Sequence, residues 1–344
     1  MENEKNRQED GFSLPASDNT APAGPADAGT DASGPDIGFS HYSVMLSECI
    51  DGLHIKPDGL YLDLTAGGGG HSYQIASRLR RGGHLIAIDQ DADAIRAVRQ
   101  RLAPFGDLVE TVQANFSSVG EVLAGRRPDG FLIDLGVSSY QLDTAERGFS
   151  YMKDAPLDMR MDQRAALSAF DVVNGYEESR LADLIFRYGE EKFARRIAAL
   201  ICEERKKKPV ATTGELSALI KRAMPAKAKE GGHHPAKRTF QAIRIEVNGE
   251  LDVIAPTLRT ACEALNPGGR AVVITFHSLE DRIVKQTFAE LEQGCICPRD
   301  FPVCVCGRKP VLRPVNRKPI LPGSAELEEN PRSRSAKLRI AERM

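Results

Sequence analysis

No apolar run in this sequence approaches the ~18 residues that a membrane-spanning helix needs. The opening residues, Met1-Glu-Asn-Glu-Lys5, carry neither the basic start nor the apolar stretch of a secretory signal. A cytoplasmic location is the resulting expectation. Cysteine is too scattered for a secreted disulfide scaffold: of seven, Cys49, Cys202 and Cys262 stand alone. No internal repeat is found. Large apolar side chains are almost missing from residues 1–38, which are rich in Ala, Gly, Pro, Ser and Asp. Such a tail cannot offset the entropy of ordering and is expected to be disordered. It holds eight acids and two bases, net −6, so the rest of the chain is mildly basic at +4 against a total of −2.

What is present fits a soluble globular protein. The 344 residues are 41% hydrophobic, enough for one large or two modest domains. The pattern centres on residues 60–72. Leu60–Leu64 reads as a buried strand with Asp63 near its carboxyl end, four glycines follow from Gly67 to Gly70, and a helix pattern begins at His71. A strand breaking into glycines and then a helix brings backbone close to a ligand in doubly wound sheets. Glycine tolerates positive φ, and the helix start offers unpaired N–H groups. The nicotinamide fingerprint Gly-x-Gly-x-x-Gly is incomplete, because Ser72 stands at its third position. An S-adenosylmethionine (AdoMet) site, in which an acid near the strand end precedes the glycines, is the alternative, and Asp63 supplies that acid. A second strand, His84–Ile88, runs into Asp89, whose carboxylate suits two ribose hydroxyls.

The alternation continues with a helix from about Ala92 to Leu102, a third strand over Leu108–Gln113 followed by Asn115-Phe116, and a fourth over Phe131–Leu135 that contains Asp134. Strands and helices at this spacing imply a parallel sheet with crossover helices. From about Tyr151 to Asn248 the period becomes helical. Leu181, Leu184, Ile185 and Tyr188 share one face, as do Phe193, Ile197, Leu200 and Ile201, and Thr212–Glu215 has capping-box spacing. The expected architecture is therefore α/β, with a sheet domain of residues 39–150 and 249–344 interrupted by a helical insert over 151–248. Residues 176–248 hold sixteen bases and ten acids, densest at Lys206–Lys208, Lys227, Lys229, Lys237 and Arg238. Such a surplus is either a solvated face or a phosphate-attracting one. Sheet character returns at Pro267–Phe276 and in a final strand, Lys337–Ala341.

Asp63, Asp89, Asp134 and His277 all fall at or just past strand carboxyl ends, where ligands sit in open parallel sheets. The plainer readings are that Asp134 caps the next helix and that His277 is a satisfied buried histidine. Cys295, Cys297, Cys304 and Cys306 form CxC-x6-CxC. This pattern fits either a structural tetrahedral zinc, with no open coordination position, or ordinary cytosolic thiols.

A set of ordered motifs over residues 40–344 carries a resemblance. Among them are His41-Tyr-Ser-Val-Met-Leu, Gly-Gly-Gly-His71-Ser, Asp134-Leu-Gly-Val-Ser-Ser-Tyr-Gln-Leu-Asp, Glu146-Arg-Gly-Phe-Ser, Pro156-Leu-Asp-Met-Arg, Arg238-Thr-Phe-Gln-Ala-Ile-Arg and Asn330-Pro-Arg-Ser-Arg-Ser. They closely resemble the RsmH family, also called MraW, of bacterial AdoMet-dependent methyltransferases acting on N4 of a cytidine in 16S rRNA. The resemblance implies a Rossmann-like class I methyltransferase sheet and a cytoplasmic enzyme. It also implies a small-subunit rRNA substrate in the decoding region, with the insert recognising RNA. By motif, Gly69, Gly70 and His71 would meet the methionine end of AdoMet, Asp89 the ribose and Phe116 the adenine, and Asp134 and Gln141 would complete the set. Many amino methyltransferases carry an Asp/Asn/Ser-Pro-Pro-aromatic motif at the fourth strand. This chain has Asp134-Leu-Gly-Val, which disfavours a DNA amino methyltransferase and leaves Asp134 either an acceptor for the reacting amino group or a cofactor ligand. Asp158 is a second candidate for the chemistry, and Arg160 or Arg238 for RNA phosphate. An AdoMet-binding assembly factor without turnover is the reading from another class, and the acids at Asp89 and Asp134 argue against it.

Overall fold

The computed structural model describes residues 43–225, 234–298, 303 and 305–344. The acidic tail, His41, Tyr42, Lys227, Lys229, Arg299 and Cys304 lie outside the described residues.

Seven strands form one sheet: β1 (Leu60–Asp63), β2 (His84–Asp89), β3 (Val109–Gln113), β4 (Gly130–Asp134), β5 (Arg270–Thr275), β6 (Leu312–Pro314) and β7 (Lys337–Arg343). Their order is β3-β2-β1-β4-β5-β7-β6. The first five are parallel, while β7 runs antiparallel to both β5 and β6. Strand order reverses beside β1, and the crevice between β1 and β4 is the switch point where doubly wound sheets place ligands. The expected Rossmann-like class I methyltransferase fold is thus present. The β6 strand is an addition to the reading above: three residues ending at Pro314 make too short a pattern to register, and a proline is tolerated at that edge position.

Period-two alternation sorts the strand residues between two layers. Leu62, Ile86, Phe131 and Val273 face helices α4 (Val119–Leu123), α11 (Ile254–Ala264) and α12 (Ser278–Glu292). Tyr61, Leu85, Leu132 and Val272 face α1 (Leu46–Leu53), α2 (Gly70–Ala76) and α3 (Ala92–Leu102). Both faces of the parallel sheet are covered, as its near-continuous apolar strands require.

Between β4 and β5 lie α5 (Ser139–Asp143), α6 (Ala169–Gly175), α7 (Glu178–Gly189), α8 (Ala194–Glu204), α9 (Thr213–Ala223) and α10 (Lys237–Asn248), all preceding α11. A short α13 (Ser324–Glu329) precedes β7. Helices α6 to α10 bury a core of their own that includes Leu181, Ile185, Ile197, Ile201, Leu216, Ile220 and Ile243. The stripes read from the sequence are the ones that pack. Thr212 caps α9 in a capping box with Glu215.

Candidate functional site at the switch point

The β1–α2 turn builds the floor. Gly67 (φ 51°) and Gly69 (φ 77°) occupy the left-handed region that favours glycine. A Cβ on Gly70 would lie 1.9 Å from Ser43 Oγ, so a side chain there would force the Ser43 hydroxyl to move. Asp63 is buried beneath the turn, its carboxylate accepting from the Ser72 hydroxyl (2.6 Å) and the Thr65 N–H (3.2 Å). Ser72, which breaks the nicotinamide fingerprint, is therefore the residue that satisfies a buried acid. Burial pushes the Asp63 carboxyl up to about 6, against those bonds.

Above this floor is a cleft of about 270 Å³. The ends of β2 and β4 supply its acids. Asp89 accepts the N–H groups of Gly67 (2.8 Å) and Asp91 (2.9 Å). Burial pushes its carboxyl up to about 6 against these bonds, with help from the Asp91 and Asp63 charges. A carboxylate offers about four lone-pair sites, so acceptor capacity remains for hydroxyls. Asp134 faces it from β4. Its N–H donates to Thr65 Oγ1 (2.6 Å), while its buried Oδ1 has no hydrogen-bond partner among the described residues. Burial first, then the charges of Asp63, Glu280 and Glu326, raise this carboxyl well above the usual range. Asp134 does not cap the following helix: Ser138 caps α5, in a box with Gln141.

His71, Phe116 and Gln141 also line the cleft. The His71 Nε2 lies 3.1 Å from Val44 O. Gln141 is buried and fixed at both ends of its amide, donating to Asp91 Oδ2 (2.8 Å) and accepting the Ser138 N–H (3.1 Å). Gly69 is not on the cleft wall; its missing Cβ faces Arg101 and Val98. Asp158 is not there either. Its carboxylate is held by Arg160 at 2.6 Å, and the Arg160 Nη1 donates to Gln163 O and Ala165 O. Arg238 donates to Glu190 O, away from the cleft wall.

His277 does face the cleft, but its ring is only half satisfied, because the buried Nε2 makes no hydrogen bond among the described residues. It caps α12 through Nδ1, and its Nε2 lies 3.0 Å from Glu280 Oε1. Glu280 is 1% exposed. Burial works to raise its carboxyl, but the His277 ring, the Arg244 charge and the Phe276 N–H outweigh it and hold it below the usual range.

The far wall comes from α10. Lys237, Gln241, Arg244 and Asn248 follow one another at helical spacing and all line the cleft, while Phe240, Ile243 and Val247 anchor the opposite face in the insert's core. Gln241 donates to Tyr188 O (3.0 Å), Arg244 pairs with Glu250 (2.8 Å), and Asn248 grips Met159 O (2.8 Å) and Met161 N (2.8 Å). Lys237 is exposed, and its ammonium has no ion pair among the described residues. In contrast, Lys207 and Lys208 of the densest basic run are paired with Glu204 and Glu215. The α10 stripe went unread in the sequence, although its i, i+4, i+7, i+11 polar spacing was available as a signal.

Arg147 ties the loop after β2 to the Arg160–Met161 segment, whose Met161 N–H is in turn held by Asn248 of α10. It is 5% exposed, forms ion pairs with Asp91 (2.8 Å) and Asp93 (3.2 Å) after β2, and donates to Asp93 Oδ2 and to the carbonyls of Arg160 and Met161.

Away from the cleft, three of the four expected cysteines converge. The sulfurs of Cys295, Cys297 and Cys306 all lie within 4.8 Å of one another.

A glycine turn after β1, an acid at the end of each of the two parallel strands that flank β1, and a cleft beyond those ends define a class I methyltransferase fold. The chain matches the MraW methylase family over residues 38–344 and belongs to that family. It is 55% identical over 311 residues to a ribosomal RNA small subunit methyltransferase H of Brevibacillus brevis, spanning 90% of this chain and 99% of that one. Identity to the protein of the same name in Clostridioides difficile is 54% over 309 residues, covering 89% and 99% of the two chains. A relative in Agathobacter rectalis, ribosomal RNA small subunit methyltransferase H 2, is 56% identical over 309 residues, covering 89% and 98%.

Proposed function

We propose that this protein transfers a methyl group from AdoMet to N4 of a cytidine in the decoding region of 16S rRNA, in the cytoplasm. The observation that carries the chemistry is the orphaned Oδ1 of Asp134 at the switch-point cleft. A buried acceptor left without a partner is costly unless a ligand satisfies it. Family membership and the relatives' names support the substrate.

The cleft suits AdoMet. Asp89 retains lone pairs for ribose hydroxyls, Phe116 offers a ring for the adenine, and the bare backbone at Gly70 beside His71 admits the methionine end. Bound there, AdoMet supplies an electrophilic sulfonium methyl. The cytosine amino group is a poor nucleophile because its lone pair is delocalised into the ring, so positioning carries much of the rate. Asp134 accepts a hydrogen bond from the amino N–H, orients the nitrogen lone pair, and takes the proton as the C–N bond forms and the sulfur–methyl bond breaks, releasing S-adenosylhomocysteine. Its raised pKa makes it a competent base once a cationic ligand nearby favours the carboxylate. Asp158, tied to Arg160, has no part in this step.

Residues 151–248 serve as the RNA-recognition domain of a catalytic body formed by 39–150 and 249–344. The separate core of the insert and the α10 stripe support this division. Lys237 meets phosphate at the cleft mouth, and several such contacts would cost roughly 10³-fold or more in affinity between ~50 and ~200 mM salt.

The test is methyl transfer from labelled AdoMet to unmethylated small subunits, free 16S rRNA and DNA, with nucleoside analysis of the product. N4-methylcytidine from ribosomal substrate alone is expected. AdoMet binding without transfer to any substrate would overturn the enzymatic reading in favour of an assembly factor.

A further inference from the structure

We infer that Cys295, Cys297 and Cys306 form a zinc site, separate from the cleft, that closes the loop between α12 and β6. Four tetrahedral ligands with Zn–S of about 2.3 Å stand about 3.8 Å apart. The Cys295 and Cys306 sulfurs are 3.7 Å apart, and the Cys297 sulfur lies within 4.8 Å of both. A disulfide needs about 2.05 Å and two partners. Three sulfurs at ligand spacing fit a shared ion instead.

The surroundings agree. Cys295 Sγ accepts the Cys297 N–H and Cys297 Sγ accepts the Val305 N–H, each at 3.4 Å. Backbone donors aimed at sulfur stabilise thiolates and orient them toward a metal. The loop is pinned at its base, where Val311 N donates to Leu291 O (2.8 Å) and Arg308 to Glu290 O (2.7 Å). Among its described residues beyond that base, Ile296, Val303 and Val305 are 54%, 70% and 73% exposed. Apolar side chains left this exposed contribute little packing, and a metal crosslink supplies what they do not, as in small metal-bound knuckles. Thiolate ligands select soft or borderline ions, and zinc takes tetrahedral sulfur without redox chemistry. Each bound thiol releases its proton to solvent, so uptake acidifies an unbuffered solution. Three described sulfurs carry the assignment; Cys304 lies outside the described residues.

The experiment is metal analysis of the full chain, produced in zinc-containing medium, reduced and desalted. One zinc per chain is expected. Cys295→Ser and Cys306→Ser should each retain less than about one tenth of it, and Cys202→Ser, which alters a cysteine remote in sequence, should retain it all. A second measurement protects against misfolded variants. The wild-type chain is stripped with a chelator and cut with trypsin, with and without added Zn²⁺; restored zinc should slow cleavage between residues 295 and 308. Three results would overturn the site: no zinc in the isolated chain and no uptake by the reduced apoprotein, iron in place of zinc, or a native mass two hydrogens light that shows a disulfide.

Discussion

The two walls of the cleft are built by different means. The sheet wall consists of turn backbone and two acids, each placed directly by the strand that ends at it. The α10 wall consists of four polar side chains spaced along a helix whose other face is locked into a separate core. The sheet wall offers acceptors, which suit hydroxyls and an amino group; the α10 wall offers Lys237, a cation with no ion pair among the described residues, which suits phosphate. Under the proposed function, one cleft separates cofactor chemistry from substrate reading, and Arg147 ties the loop after β2 to the Arg160–Met161 segment that Asn248 of α10 also holds.

The largest way to break that arrangement is Arg147→Ala. It strands Asp91 without its buried counter-charge, and breaking such pairs costs about 3–5 kcal/mol. Chemical denaturation should show that loss, and a loss below about 1 kcal/mol would mean the walls are held by other contacts. Asp134→Asn sharpens the chemical side. The turnover rate should fall on the order of 10²–10⁴-fold, with AdoMet affinity little changed in calorimetry. The wild-type rate should also rise with pH as the carboxyl ionises, and the variant should lose that limb.

Asp89→Asn isolates cofactor binding. Loss of a charged hydrogen-bond acceptor should weaken AdoMet by roughly 10–100-fold. The raised pKa gives a pH test as well. Below about 6 the wild-type Asp89 becomes neutral and accepts less well, so the AdoMet Kd should climb as pH falls through that value. The variant should show no such step. The smallest effect belongs to Lys237→Ala, which should reduce the logarithmic salt slope of RNA binding by about one while leaving AdoMet binding alone. Lys208→Ala, which removes a cation already paired with Glu215, should change that slope far less.

These differences also explain which parts could be read from the sequence. Strands β1 to β5 and the acids Asp89 and Asp134 were legible because each acid follows its own apolar run, and glycines or a Pro-Gly turn mark the boundaries. The insert was legible as helix because Leu181, Leu184 and Ile185 repeat at helical period. Its contribution to the site was not, since in α10 the apolar face of Phe240, Ile243 and Val247 dominates the pattern. Only the assembled fold shows that the polar face points into the cleft. The contacts that Arg147 and Gln141 make with Asp91 were hidden for a related reason. Both act through Asp91, some fifty residues earlier, and no local spacing reveals a hub of that kind. His277 carried a local signal: the His-x-x-Glu spacing to Glu280 marks a helix start, and the structure shows that it both caps α12 and faces the cleft.

The most direct measurement is calorimetric titration of AdoMet into wild type, Asp89→Asn and Lys237→Ala at neutral pH, paired with RNA binding by the same three proteins. The account predicts that Asp89→Asn loses AdoMet affinity but keeps RNA affinity, and that Lys237→Ala does the reverse. Equal losses of both ligands in either variant would contradict a cleft divided between a cofactor wall and a substrate wall.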